Sequence, residues 1–278
     1  MTLAPLWQIA NSNFSAALFG ALAGALAAHV TATRTERKHQ LLAEISGVNN
    51  AIALTNTITN SFLAIKRQHV IPLVARYSSH FLEFVRAEAA GGAAGFKLIA
   101  DFRTFPMPLT PIAELRETIL TRVQSSTRAI SISIPLHQCI DNIEAIIARR
   151  DEAIKTLQAY QTIQRIDAYF GLRDSAGNID ERYPDLLLGM LNNTDDIVYF
   201  SMLLSDILTQ HGSVLVAKYG RRAPHIVKLD YSNVASDLLP DRTAYPDYEA
   251  HFRVKAERQT LGKMLSMSLG RILGNLKS

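Results

Sequence analysis

His137, Cys139 and Asp141 are the closest grouping of side chains in this chain that could do chemistry together. A thiol beside an imidazole can form a nucleophile pair, and both groups can ligate zinc. The spacing argues against either use. On a helix, positions two apart do not share a face, so Cys139 is turned from both neighbours. No other cysteine exists to complete a zinc set. Cys139 is therefore expected to be a small core side chain.

The other candidate groups fail on similar grounds. His80 and Glu83 sit three apart, but a di-iron bundle needs two Glu-x-x-His motifs with further glutamates, and here the order is reversed and single. Asp195 and Asp196 are adjacent and diverge by roughly 100° on a helix, which is poor geometry for one metal. Asp174, Asn178 and Asp180 surround Gly177, yet the ordered calcium-loop pattern and its terminal Glu are missing. A solvated turn is the expectation there. Gly91 to Gly95 (GGAAG) lacks the lysine ending of a phosphate loop. With no P-loop, GxGxxG, HExxH or GxSxG, no catalytic, metal-ligating or cofactor-binding residue is assigned.

The elements that would have to position any site are more legible. Met1 to Thr33 contains no Asp, Glu, Lys or Arg, and Arg34, Arg37 and Lys38 follow at once. The run 14–33 is long enough as a helix to cross a hydrocarbon core of roughly 30 Å. Asn11, Ser12 and Asn13 precede it as N-cap types, and Trp7 suits a headgroup level. Basic residues at one end favour the cytoplasmic side, which puts the N-terminus outside and the remainder inside a cell (inner) membrane. A cleaved leader would carry its positive charge before the apolar run, not after it. A buried core helix is the other reading, and the missing polar face and basic flank weigh against it.

Ala16, Gly20, Gly24 and Ala28 recur every four residues within this run, on one helix stripe. Small side chains let two backbones approach, so the stripe is a candidate homo-oligomer face. His29 has no charged partner within the run and is expected to be interfacial.

The single cysteine excludes an intrachain disulfide framework and suits a reducing compartment. The formal charge of +4 is uneven, because the stretch from His251 onward carries six basic residues against one acid. Its apolar positions, from Leu261 to Leu276, make one face of a helical pattern. Arg258, Lys263 and Arg271 lie among its polar positions, so a second contact with anionic membrane is expected there, with a solvated bundle helix as the alternative. Aromatic interleaving is too sparse to favour nucleic acid.

Between these ends the pattern is helical. Leu41, Ile45, Val48, Ile52, Thr55, Thr59 and Phe62 alternate four and three apart, the spacing of a coiled-coil seam. Asn49, Asn50, Asn56 and Asn60 are expected on the solvated face. Pro72 marks a kink or a new start, and a second helix runs to about Ala90. Phe96 to Pro111, with three prolines, reads as an extended strap. Helices are expected from Ile112 to about Gln124, from Pro135 to about Tyr160, over a short piece to Phe170, and from Pro184 to about Gln210 with Gly212 as its stop. Ser125 to Ser133 reads as a break, Gly171 to Pro184 as a loop with a small hairpin, and His225 to Tyr231 as strand-like.

The expected fold class is all-α, with one transmembrane helix continuing into a cytoplasmic antiparallel bundle. Its parts are an outer segment 1–13, a span 14–33, a helical domain 34–250 and a basic helix 251–278. The functional expectation is a non-enzymatic, oligomeric, single-pass membrane protein whose helices sense or scaffold, with a membrane effector as a variant. Its partners would be the bilayer, a second copy of the chain and a cytoplasmic protein not identified by sequence. The alternative is a membrane-tethered enzyme with an active site scattered over the bundle.

Overall fold

The computed structural model describes residues 13–92, 96–104, 107–123 and 126–251, with side chains from Ala17. The described residues are helical apart from loops and one isolated antiparallel bridge, Arg173 to Ile179. Helix α1 spans Asn13–Ile65 and passes through a π turn, Lys66–Val70, into α2, Ile71–Ala89. Then follow α3 (Ile112–Arg122), α4 (Thr127–Ala159), α5 (Thr162–Phe170) and α6 (Arg182–Tyr219). The antiparallel helical bundle expected from the periodicity is present. Residues 96–104 and 107–110 form an irregular strap, as their prolines require.

The π turn follows from Pro72. Proline has no N–H and its ring crowds the carbonyl four residues back, so regular α-helix cannot pass through it unchanged. Here the Ile71 N–H reaches Lys66 O, a five-residue spacing, and the helix continues past Pro72. Sequence allowed a kink or a start at this position; the chain does both.

Helix α6 is the central element, running antiparallel to α1 on one side and to α4 on the other. The order of contacts shows the first: Glu44 meets His211, Thr59 meets Ser201 and Lys66 meets Asp195. On the other side, Ile146 packs against Gly189. The seam of α1 is buried: Ile45, Val48, Ile52, Thr55, Thr59 and Phe62 are all closed to solvent. Their partners lie in the same chain, so the four-and-three spacing is met inside a single bundle and not by a coiled coil between copies. On α4, Ile140, Ile143, Ile147, Ile154 and Leu157 are buried, as their period predicts. A second cluster gathers Leu73 and Phe84 of α2, the end of α4, α5, and Tyr183 and Leu187 of α6.

Three expectations are corrected. Helix α4 begins at Thr127, not Pro135, with Ser126 Oγ accepting from the Ala129 N–H at 3.3 Å. Pro135 lies inside it. The carbonyl deprived of its donor belongs to Ser131, which is exposed and within reach of water, and the buried isoleucine stripe holds the helix on. Gly212 does not stop α6; the helix continues to Tyr219, and Gly220, at φ +99°, ends it. Gly212 is instead a close-approach position, where an added Cβ would lie 2.6 Å from Ile226 Cδ1. Finally, Asn49 is no solvated bystander. Its amide donates to His225 O at 2.9 Å and accepts from Val227 N at 3.0 Å, pinning the extended 225–227 segment where no strand partner exists among the described residues.

The chain divides after Ser232. In the second unit Asp241 caps a 3-10 turn, Arg242–Ala244, accepting from Thr243 N at 2.9 Å, and residues 246–251 are helical.

Among the described residues no helix is long and apolar enough to cross a membrane. The spanning helix expected over 14–33 thus has no support from the fold itself; its first three side chains, 14–16, lie outside those described.

Gly47 of α1 supplies a test of the packing. A Cβ there would meet Arg122 Cβ at 2.6 Å and Arg122 O at 3.0 Å, and backbone cannot yield as a side-chain tip can. Helix propensity alone favours Ala over Gly by about 1 kcal/mol. Overpacking costs about 1–3 kcal/mol and works against it. Gly47→Ala should therefore lower the unfolding free energy in urea, whereas Gly24→Ala, with nothing within 4 Å, should not.

Candidate functional site

Two surfaces stand apart from ordinary packing. The first is the leading half of α1. From Ala17 to Gln40 every residue is exposed. Leu18, Phe19, Leu22, Leu26 and Val30 are 44–71% exposed. At about 100° per residue these five fall within roughly 120° of one another, and Gly20, Gly24 and Ala28 lie on the opposite side, so a face of large apolar side chains backs onto a face of small ones with no charge between them. Gly20 and Gly24 would meet nothing within 4 Å if given side chains, and Ala28 is exposed beside them. The Ala16 side chain lies outside those described. Arg34, Arg37 and Lys38 follow as an exposed basic collar. Arg258, Lys263 and Arg271 lie outside the described residues.

The second surface is a cleft of about 240 Å³ where the π turn, α2, the strap and α4 converge. Arg76, Arg103 and Arg150 line it around one carboxylate, Asp101, with His69 and Thr104 at its edge. Asp101 accepts from Arg103 Nε at 2.9 Å, Arg103 Nη2 at 2.7 Å and the Arg103 N–H at 3.1 Å, and from Arg76 Nη1. Hydrogen bonds from the Arg103 side chain, then its backbone N–H and the charges of Arg103 and Arg76, hold this carboxyl far below the usual range against the opposing effect of burial. Arg150 is buried, with its guanidinium donating to the carbonyls of Arg103 at 3.1 Å and Asp101 at 3.4 Å. It also lies 5.9 Å from the centre of the Tyr183 ring.

Next to this cleft, Lys66 opens the π turn and is buried against Asp195 at 2.5 Å. The adjacent aspartates therefore diverge as expected: Asp195 faces α1, and the charge of Asp196 acts on Cys139 of α4. Cys139 is 8% exposed, and burial, then Asp196, push its thiol up to about 12. It is protonated at neutral pH and is no nucleophile. His137 and Asp141 pair at 3.7 Å on a different, more open face. Glu83 approaches Ser79 at 3.5 Å. Asp174 folds its own turn, accepting from Asn178 N at 2.8 Å and Ala176 N at 2.9 Å. Among the described residues no three His, Cys, Asp or Glu side chains are placed to hold a metal.

Sequence reasoning missed Lys66, Arg76, Asp101, Arg103 and Arg150. A signal existed for three of them. Lys66 is the first charge after Glu44, and Asp101 and Arg103 are charges within an aromatic, Pro-rich strap. Residues from four separate elements could not have been joined without the fold.

Asp101 supplies a test with a defined sign. Its folded value is depressed, so its contribution is fully present above the unfolded carboxylate value of about 3.9 and is lost as pH falls through the folded value. Asp101→Asn should cost about 2 kcal/mol of unfolding free energy at pH 7, the worth of one charge-assisted hydrogen bond. The difference from the parent should stay constant between about pH 5 and 8 and shrink only in acid.

Comparison of the chain with family profiles, curated proteins and solved structures finds no match.

Proposed function

We propose that this chain is a non-enzymatic, single-pass membrane protein, in which the leading half of α1 is the anchor and the helical bundle behind it senses or scaffolds on the cytoplasmic side. The observation that carries the reading is the exposed, uncharged helix from Ala17 to Thr33, with a face of large apolar side chains. Full burial of a Leu, Val or Phe side chain contributes roughly 1.5–3 kcal/mol. Five such side chains stand exposed on one helix, interspersed with Ala and Gly. Lipid covers an uncharged helix on every side, the Leu, Phe and Val face and the Ala and Gly face alike. The absence of charge from Met1 to Thr33 and the collar at Arg34, Arg37 and Lys38 support this and the inward orientation. The Ala16, Gly20, Gly24 and Ala28 stripe favours a second copy as the neighbour within the bilayer. The basic residues Arg258, Lys263 and Arg271 would add a reversible contact with anionic lipid.

The enzymatic alternative calls for converging acids and histidines in a pocket. The cleft has one acid, held ionised by arginines. That arrangement favours recognition over proton transfer.

The full chain should remain in the membrane pellet after carbonate extraction at high pH, while a chain beginning at Leu41 should be released. A reporter active only in the cytoplasm should be active when fused after Ser278. Release of the full chain by carbonate would sink the anchor, and an external reporter signal would sink the orientation.

A further inference from the structure

We propose that the cleft between the π turn, the strap and α4 binds the phosphoryl group of a soluble small molecule. Two guanidiniums, Arg76 and Arg103, share the single carboxylate of Asp101. A carboxylate offers about four lone-pair sites, and a guanidinium about five N–H donors. Arg76 and Arg103 together bring roughly ten donors, while Asp101 already receives one from Arg76, two from the Arg103 side chain and one from its backbone. The acceptor is saturated before the donors are.

Charge gives the same answer. The lining carries three guanidiniums against one carboxylate, and Asp151, 3.9 Å from Arg150, still leaves an excess of positive charge. Asp101 stays ionised at every physiological pH, so it cannot relieve the site by changing state. An incoming anion must therefore be attracted by the arginines over a standing negative charge. A dianionic tetrahedral group, with many acceptor oxygens for planar guanidinium forks, does this better than a single carboxylate.

The site is also built and not a chance of surface side chains. Arg150, 1% exposed, holds the carbonyls of Asp101 and Arg103, so the strap is fixed before any ligand arrives. Arg103 is 82% exposed at its side chain and Arg76 44%, which leaves the cleft open to solvent. The π turn that forms one wall is a feature often found at functional positions.

Distance separates a soluble ligand from a lipid headgroup. Helix α1 from Arg34 to Ile65 spans roughly 45 Å at about 1.5 Å per residue. If the basic collar marks the bilayer surface, headgroups of that membrane cannot reach the cleft. The inference deepens the sensing role and leans on the anchor reading only at this point.

The test is calorimetric titration of the full chain in neutral detergent micelles, where binding is read whether or not α1 inserts in a cell. Sodium pyrophosphate is the probe, with sodium succinate as the carboxylate comparison. Pyrophosphate should saturate one site, and succinate should bind at least about tenfold more weakly. Arg76→Gln and Arg103→Gln should each weaken pyrophosphate about tenfold, and Arg103→Lys, which keeps the charge but not the fork, should also weaken it. Arg86→Gln, an exposed arginine outside the cleft, should change it less than twofold. Circular dichroism of each variant establishes that the helices are retained. No saturable heat with the folded parent at about 10 mM pyrophosphate would overturn the proposal. So would equal losses in Arg86→Gln and Arg103→Gln, which indicate a diffuse charge effect. Saturation by micellar phosphatidic acid but not by pyrophosphate would move the site to lipid and overturn the soluble ligand.

Discussion

The seam between α1 and α6 is the contact on which the rest of the domain depends. Small and hydroxyl side chains line it: Ala51, Thr55 and Thr59 on α1, with Ser201, Ser205 and Gly212 on α6, all buried. Burying hydroxyls costs free energy unless each finds a partner. Thr55 and Thr59 return their protons to the carbonyls four residues back, at 2.7 and 2.9 Å, and Ser201 donates to Val198 O at 3.0 Å. Satisfied in this way, they act as small spacers that let two long helices lie close. Register is then set at one end by the ion pair of Lys66 with Asp195 and at the other by the contact of His211 Nε2 with Glu44 at 3.1 Å. A slip of one turn, about 5.4 Å, would separate both pairs and bury an uncompensated lysine, which is far costlier than losing an exposed ion pair.

The same helix carries two different surfaces, and the change between them is abrupt. Behind Glu44 it is a core element with one buried seam. Ahead of Gln40 every described side chain is exposed, and up to Thr33 the helix carries no charge and one face of large apolar side chains. A terminal helix of a water-exposed bundle carries a polar face, because half of it looks at solvent. The collar of Arg34, Arg37 and Lys38 sits at the change of surface, where an interface would place it. At the far end of α1 the chain gathers its two buried cations with their partner acids. Lys66, Asp195, Arg150 and Asp101 all lie near the π turn that Pro72 enforces. The apolar end and the charged end are thus joined by one uninterrupted helix.

Much of this fold could be read from spacing. The α1 seam, the isoleucine stripe of α4, the strap and the small hairpin near Gly177 all follow from local patterns, because each pattern is short-range physics: a period, a proline, a turn residue. The misreadings share a cause. Pro135 and Gly212 are breakers by local rule, and the fold overrides both, one through a solvent-facing carbonyl and the other because Ile226 needs the space a side chain would fill. Local pattern puts Asn49 on the solvated face because its partners lie more than 170 residues away. The arginine cleft was not legible for the same reason. It draws on the π turn, α2, the strap and α4, and no periodicity connects them. The apolar stripe and collar of α1 were legible because everything that defines them is contiguous.

The most direct measurement of the central claim, that lipid covers the leading half of α1, is cysteine scanning of positions 17–40 with a membrane-impermeant maleimide. The native thiol gives little background, since Cys139 is buried and its thiol is pushed up to about 12. Membrane vesicles open to reagent on both sides should leave Leu18→Cys, Leu22→Cys, Leu26→Cys and Val30→Cys unlabelled until detergent is added, while Lys38→Cys and Gln40→Cys react at once. Uniform labelling from position 17 to position 40 without detergent would contradict the account.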